Sequence, residues 1–153
     1  MRVTRYTDYS LRVLMYVALK GDQLSTIAEI ADAYDISKNH LMKVVNQLAN
    51  KGYLRATRGK NGGMRLNRPA EEINIGELVR DTEQDLELVE CFGPTNECVI
   101  TPACELKKIL AQALETFFST LDQFTLADLL PQKYQKQLVK LLDLAVDVGK
   151  KSA

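Results

Sequence analysis

The residues with the most distinctive chemistry are three cysteines, Cys91, Cys98 and Cys104, spaced C-x6-C-x5-C. None falls on an apolar position of a helical or strand pattern, where a cysteine acting as a small hydrophobe would sit. Their odd number argues against a disulfide framework. Structural zinc calls for closely paired cysteines, and no such pair is present. Three thiolates on one loop suit an iron–sulfur cluster, whose irons take soft sulfur ligands. Cys104 is expected on the first turn of a helix, whose positive end favours a thiolate. One ligand position is then left for another group. On spacing alone a redox-sensing thiol and a zinc site stay open as alternatives. Enzymatic chemistry is not expected: the chain has one histidine, no HExxH or GxSxG motif, and no recognisable acid–base pair of carboxylates.

The elements that must position these thiols carry a charge asymmetry. The formal net charge is zero, yet residues 1–68 hold 12 basic and 5 acidic side chains (+7) and the rest hold 8 and 15 (−7). A basic half beside an acidic half suggests that the first meets a polyanion. In the basic half, Leu11, Leu14, Met15, Ala18 and Leu19 predict a helix over 4–19, stopped by Gly21. Thr26 and Glu29 have capping-box spacing for a second helix, ending near Tyr34-Asp35. Ser37 can cap a third, running to about Lys51 with Leu41, Val44, Val45 and Leu48 inward and Gly52 as C-terminal cap. Its outward face bears Lys38, Asn39, His40, Lys43, Asn46 and Gln47, side chains that suit base edges and phosphates.

Tyr53–Thr57 and Met64–Asn67 read as paired strands around Arg58-Gly59-Lys60-Asn61-Gly62-Gly63, a basic hairpin tip. A basic hairpin directly after a recognition-type helix is the wing of a winged helix. A phosphate-cradling loop does not fit, because no helix follows the glycines. The DNA contacts expected are Ser37, Lys38, Asn39, His40 and Lys43 on the helix, and Arg58, Lys60 and Asn61 in the wing. A short helix follows over 73–80, then an acidic linker.

Thr101-Pro102 predicts the start of a long helix. Its stripe of Leu106, Ile109, Leu110, Ala113, Leu114, Phe117, Phe118, Leu121 and Phe124 is broad enough to pack on a second copy of the chain. A last helix is expected over 132–147, with a frayed tail from Gly149 to Ala153. The fold class is thus mainly α with a small β-hairpin wing. Residues 1–80 form the winged-helix DNA-binding domain, 81–101 a linker and cluster-binding loop, and 102–153 the dimerisation helix and a C-terminal helix. No apolar run is long enough to span a bilayer and the N-terminus lacks a leader pattern, so a cytoplasmic location is expected.

Three blocks, Tyr6-Thr7-Asp8-Tyr9, Lys60-Asn61-Gly62-Gly63 and Cys98-Val99-Ile100-Thr101-Pro102-Ala103-Cys104, resemble the iron–sulfur winged-helix transcription regulators. The run Ser37-Lys38-Asn39-His40-Leu41-Met42-Lys43 is similar to the nitric-oxide-sensing repressor branch. The cluster-biogenesis branch has a histidine ligand where this chain has Lys107, which cannot ligate while protonated. The resemblance implies a homodimeric repressor on a palindromic operator in double-stranded DNA, with nitric oxide as effector. It implies a 2Fe–2S or 4Fe–4S cluster on Cys91, Cys98 and Cys104. It makes Asp8 of the opposite subunit the candidate fourth ligand, while Arg12, four residues on, offers Asp8 an ordinary surface pair instead. A redox- or cluster-supply-sensing regulator, or a cluster-free repressor regulated by its thiols or by a partner, would share the same fold.

Overall fold

Thr4 opens the chain's first helix by accepting from the Thr7 N–H, and the helix α1 runs Arg5–Lys20, where Gly21 ends it. In this computed structural model the described residues are 2–145. Thr26 and Glu29 form the expected reciprocal capping box at the start of α2 (Ile27–Tyr34), which ends on Asp35 in a left-handed conformation. The third helix, α3, spans Lys38–Asn50; Ser37 precedes it, but its hydroxyl makes no capping bond. Gly52 closes α3 at φ 80°. Its N–H donates to the Ala49 carbonyl (3.1 Å) and the Tyr53 N–H to the Leu48 carbonyl (2.9 Å), a Schellman cap.

That cap corrects the first strand. The Tyr53 N–H is spent on the helix end, so β1 is Leu54–Thr57, and its partner β2 is Gly63–Leu66 rather than 64–67. They pair antiparallel from Leu54↔Leu66 to Thr57↔Gly63. Ser25 bridges Met64 on the far side of β2, with bonds of 2.9 and 2.7 Å. The tip turns tightly enough that a Cβ on Gly62 would overlap the Thr57 carbonyl.

The core lies where α1, α2 and α3 meet the hairpin. Val13, Leu14, Val17, Ile30, Leu41, Leu48 and Tyr53 are fully buried there. Burying each large apolar side chain stabilises by about 1.5–3 kcal/mol. The Tyr53 hydroxyl donates to Asp81 (2.6 Å), and the Arg68 guanidinium lies 4.7 Å from the Tyr53 ring centroid. Burial first, and that bond to Asp81 next, push the Tyr53 phenol well above its ordinary pKa, so it stays a neutral donor.

The short helix α4 is Ile75–Thr82, not 73–80, because the Asn74 side chain caps it by accepting from the Glu77 N–H (3.0 Å). Ile73 stays extended and accepts from the Leu126 N–H (2.8 Å), while the Ile75 N–H donates to the Phe124 carbonyl (3.0 Å). The long helix α5 is Glu105–Leu121 and the last, α6, is Gln132–Leu141. Asp143 takes a left-handed conformation at φ 49°, and Leu142 and Leu144 turn into the core, so α6 ends earlier than its apolar pattern suggests. Residues 146 and 147 of the expected last helix, and the expected frayed tail, lie outside the described residues.

Candidate nucleic-acid interface and cysteine loop

Helix α3 buries Leu41, Val44, Val45 and Leu48 and so turns the opposite face outward. Ser37, Lys38, Asn39, His40 and Lys43 are all exposed, together with Asn46 and Gln47. Met42, absent from the expected contacts, is exposed beside them. Arg58, Lys60 and Asn61 are exposed at the hairpin tip. Between Asp35 and Glu71 the chain holds eight basic residues (Lys38, Lys43, Lys51, Arg55, Arg58, Lys60, Arg65 and Arg68) and no acidic one. Recognition helix and wing therefore form a surface of one sign, the footprint of a nucleic-acid-binding face.

The cysteines follow α4 in the chain. All three are free thiols; Cys98 is exposed, and Cys91 and Cys104 are half-buried. Cys91 sits in a short 3-10 turn, Glu90–Phe92, facing a groove of about 660 Å³ that Arg80, Lys107, Leu114 and Phe118 also line. The Cys98 segment is folded by its neighbours. Asn96 accepts from the Cys98 N–H (3.0 Å) and donates to the Thr101 hydroxyl (3.0 Å), which donates to the Cys98 carbonyl (2.8 Å).

This local bonding corrects the expected start of the long helix. Thr101–Ala103, with Pro102 at its first turn, is a separate 3-10 turn, and Cys104 is the residue before α5, in extended conformation, rather than on its first turn. No side chain caps α5, so its first N–H groups are left without a side-chain partner.

Among the described residues no three Cys, His, Asp or Glu side chains are gathered to hold a metal ion. The donor set nonetheless fits an iron–sulfur cluster. It offers three free thiols, soft ligands for iron, and the stretch around Cys98 is held by its own neighbours rather than by the core. Asp8 is engaged elsewhere. Both its oxygens accept from Arg12, at 3.1 and 2.8 Å, the surface pair that the four-residue spacing allows, and the Arg12 guanidinium lies 5.8 Å from the Tyr9 and Tyr34 ring centroids. Burial pushes the Tyr34 phenol up to about 12 against the pull of Arg12, leaving a neutral wall beside the pair.

Sequence reasoning missed the joint between the two regions. Arg80 on α4 pairs with both oxygens of Asp122, just after α5, at 2.6 and 2.8 Å. Its guanidinium lies 4.4 Å from the Phe118 ring centroid, and the Asn74 amide donates to the Asp122 carbonyl (2.7 Å). No local pattern announces contacts between residues so far apart in the chain. Helix α5 itself is half finished: Phe118 is its only buried residue, while Leu106 and Ile109 are 59% and 61% exposed and Phe117 is 42% exposed.

A winged helix with a basic recognition face, joined to a long helix by a cysteine loop, defines a DNA-binding transcription regulator. The family described as "Rrf2: Iron-dependent Transcriptional regulator" matches residues 3–132, and the chain belongs to it. Among curated relatives, the HTH-type transcriptional regulator NsrR of Bacillus licheniformis is 51% identical over 144 residues, covering 93% of this chain and 99% of the relative. NsrR of Bacillus subtilis is 49% identical over 146 residues, covering 94% and 99%. These relatives are named as regulators, not enzymes. Among solved structures, CymR, the global cysteine regulator of B. subtilis, superposes with TM-score 0.68 at 22% identity, over 84% of this chain and 95% of that one. T. potens IscR superposes with TM-score 0.69 at 22% identity, over 90% and 91%. At that identity both show the fold alone. No described helix is long and apolar enough to cross a membrane.

Proposed function

We propose that the chain is a cytoplasmic, homodimeric repressor whose grip on a palindromic operator is set by an iron–sulfur cluster that responds to nitric oxide. The observation that carries this reading is the trio of free thiols on a locally folded loop, beside a long helix whose apolar edge lacks a partner. The NsrR names of relatives near 50% identity support it. Cys91, Cys98 and Cys104 would hold the cluster, with Asp8 of the partner subunit as fourth ligand. A carboxylate is the hardest and weakest partner for iron in that set, which suits a ligand meant to be released. For Asp8 to serve, it must first give up Arg12. When bound, the cluster supplies iron that reacts with nitric oxide.

The chain's own residues then carry the signal. Ordering the loop 91–104 fixes the entry to α5, and the Arg80–Asp122 pair ties the far end of α5 to α4. Two copies packed through α5 set the separation of two recognition helices, which must match half-sites about 34–36 Å apart or a multiple of that. Lys38, Asn39, His40 and Lys43, with Ser37, would meet the major groove, and Arg58, Lys60 and Asn61 the flanking minor groove or phosphates. A coupling of about 3 kcal/mol between loop and operator would change affinity about 150-fold.

The test is the ultraviolet–visible spectrum of anaerobically reconstituted protein before and after stoichiometric nitric oxide. A visible chromophore that nitric oxide bleaches, lost in Cys98→Ser and weakened in Asp8→Ala, is the expected result. Colourless protein that still binds DNA and gains or loses affinity on thiol oxidation would replace this reading with a cluster-free thiol-regulated repressor.

A further inference from the structure

The wing carries a second feature that the tip residues do not explain. In the antiparallel ladder Arg55 stands directly opposite Arg65. Leu54 and Met64, their neighbours in the strands, are buried, so alternation puts both arginines on the outer face, and both are exposed. Side chains directly opposite have Cβ atoms only about 4.5–5.5 Å apart, and like charges there are destabilising. Among the described residues, the ion pairs engage other side chains and leave Arg55 and Arg65 without an acidic partner.

Two exposed arginines directly opposite each other in a ladder can bring two guanidinium forks to one anion, and a phosphate oxygen pair is the chemistry such forks match. The place is right for one. Arg55 lies three residues before Arg58, about 10 Å back from the tip at about 3.3 Å per residue. A tip that enters a groove brings this distance to the sugar–phosphate wall beside it. Among the described residues the sheet has two strands, so β1 has β2 on one side only, while Ser25 bridges the other edge of β2.

We propose that Arg55 and Arg65 form a two-pronged clamp on one backbone phosphate of bound double-stranded DNA, setting the register of the wing without reading sequence. The clamp deepens the DNA-binding reading and rests on it. The cross-strand repulsion is relieved when the phosphate is gripped, so free protein and complex are affected in opposite directions by the same substitution.

The probe is a fluorescently labelled mixed-sequence duplex of roughly 30 base pairs, titrated with the full-length dimer at several salt concentrations; such length exceeds the contacts of one dimer, and sequence-independent binding is phosphate-driven. Each phosphate contact contributes about 0.9 to the slope of log affinity against log salt. Each wing of the dimer carries one clamp on one phosphate, so Arg55→Gln and Arg65→Gln should each lower the slope by up to about 2. The double variant should be little worse than the worse single, because either prong alone leaves the grip incomplete. Lys133→Gln/Lys140→Gln on α6, which removes the same charge elsewhere, should leave the slope unchanged. Arg55→Glu should raise the melting temperature of the free protein, since it places opposite charges across the ladder, and weaken DNA binding most.

Slopes unchanged in the arginine variants, with wild-type protein binding normally, would overturn the clamp and leave DNA binding intact. Slopes lowered equally by the α6 variant would reduce the effect to bulk charge and also overturn it. A wild-type protein that binds no duplex would remove the DNA-binding reading itself.

Discussion

The two halves of the molecule are finished to different degrees. In the N-terminal half, α1, α2, α3 and the hairpin enclose a core in which seven large side chains are fully buried, and every helix end there except the start of α3 has a cap or a backbone bond to close it. In the C-terminal half, α5 buries one residue and α6 none. Val99 and Ile100, between two of the cysteines, are exposed. A groove of about 660 Å³ between residues 83–89 and α5 is lined by Leu86, Leu88, Leu110 and Phe117. The difference teaches that the winged-helix part closes its own core within one chain, whereas α5 and α6 leave most of their apolar side chains at least partly exposed. A regulator is served by that division: the reading head is rigid, and its spacing is left to be set.

The comparison breaks most visibly if the two halves respond alike to truncation. Leu48→Ala removes a fully buried side chain and should cost about 2–5 kcal/mol, read as a fall in the urea midpoint. Ile109→Ala, at a 61% exposed position, should cost under about 0.5 kcal/mol in a monomeric chain, as surface substitutions do. If sedimentation shows a dimer, a larger loss at Ile109 that depends on protein concentration would measure the pairing itself. A concentration-independent loss as large as that at Leu48 would put Ile109 in a core of its own chain and undo the contrast.

The second effect is on assembly. Ile109→Asp/Phe117→Asp puts two charges on the apolar edge of α5. The expected product is a folded monomer by sedimentation, with an unchanged circular dichroism spectrum. Its affinity for a palindromic site should drop by about 100-fold or more, because a linked second contact is lost. An unaltered dimer would move the pairing surface off α5.

Legibility followed the same division. The capping box at Thr26, the glycine stop of α3 and the basic hairpin tip are local signals that the structure realises; the stripe on α5 is realised from Leu106 to Leu121, while Phe124 falls beyond the helix end, where the chain turns at Asp122. The start of α5 was misplaced for a local reason too: Thr101-Pro102 is a genuine turn opener, but Asn96 and Cys98 absorb it into a short turn of its own. What sequence could not supply was register and distance. Arg55 and Arg65 become a pair only once the ladder is known, and the bonds from Tyr53 to Asp81 and from Arg80 to Asp122 join residues 28 and 42 positions apart. The three cysteines are visible in the sequence by type and spacing, and among the described residues their side chains are not gathered into a metal site.

The smallest effect is at the seam. Arg80 grips Asp122, rests on Phe118 and lines the groove that Cys91 also lines, so it joins α4 to α5 beside the cysteine loop. Its hydrogen bonds hold the Asp122 carboxyl below the ordinary aspartate pKa, with a smaller opposing push from desolvation. A carboxylate whose pKa is lowered by folding contributes stability above its unfolded pKa, about 3.9, and loses it as pH falls through the lowered folded value. Arg80→Ala should therefore melt below wild type at pH 7, and the gap should narrow as the pH is taken below the aspartate range. The pair is partly exposed, so added salt should narrow the gap at pH 7 as well. Melting curves of both proteins at pH 7 and pH 3, in low and high salt, make the comparison. A gap that ignores both pH and salt would assign the role of Arg80 to its stacking on Phe118, and the seam would then be held by packing rather than by charge.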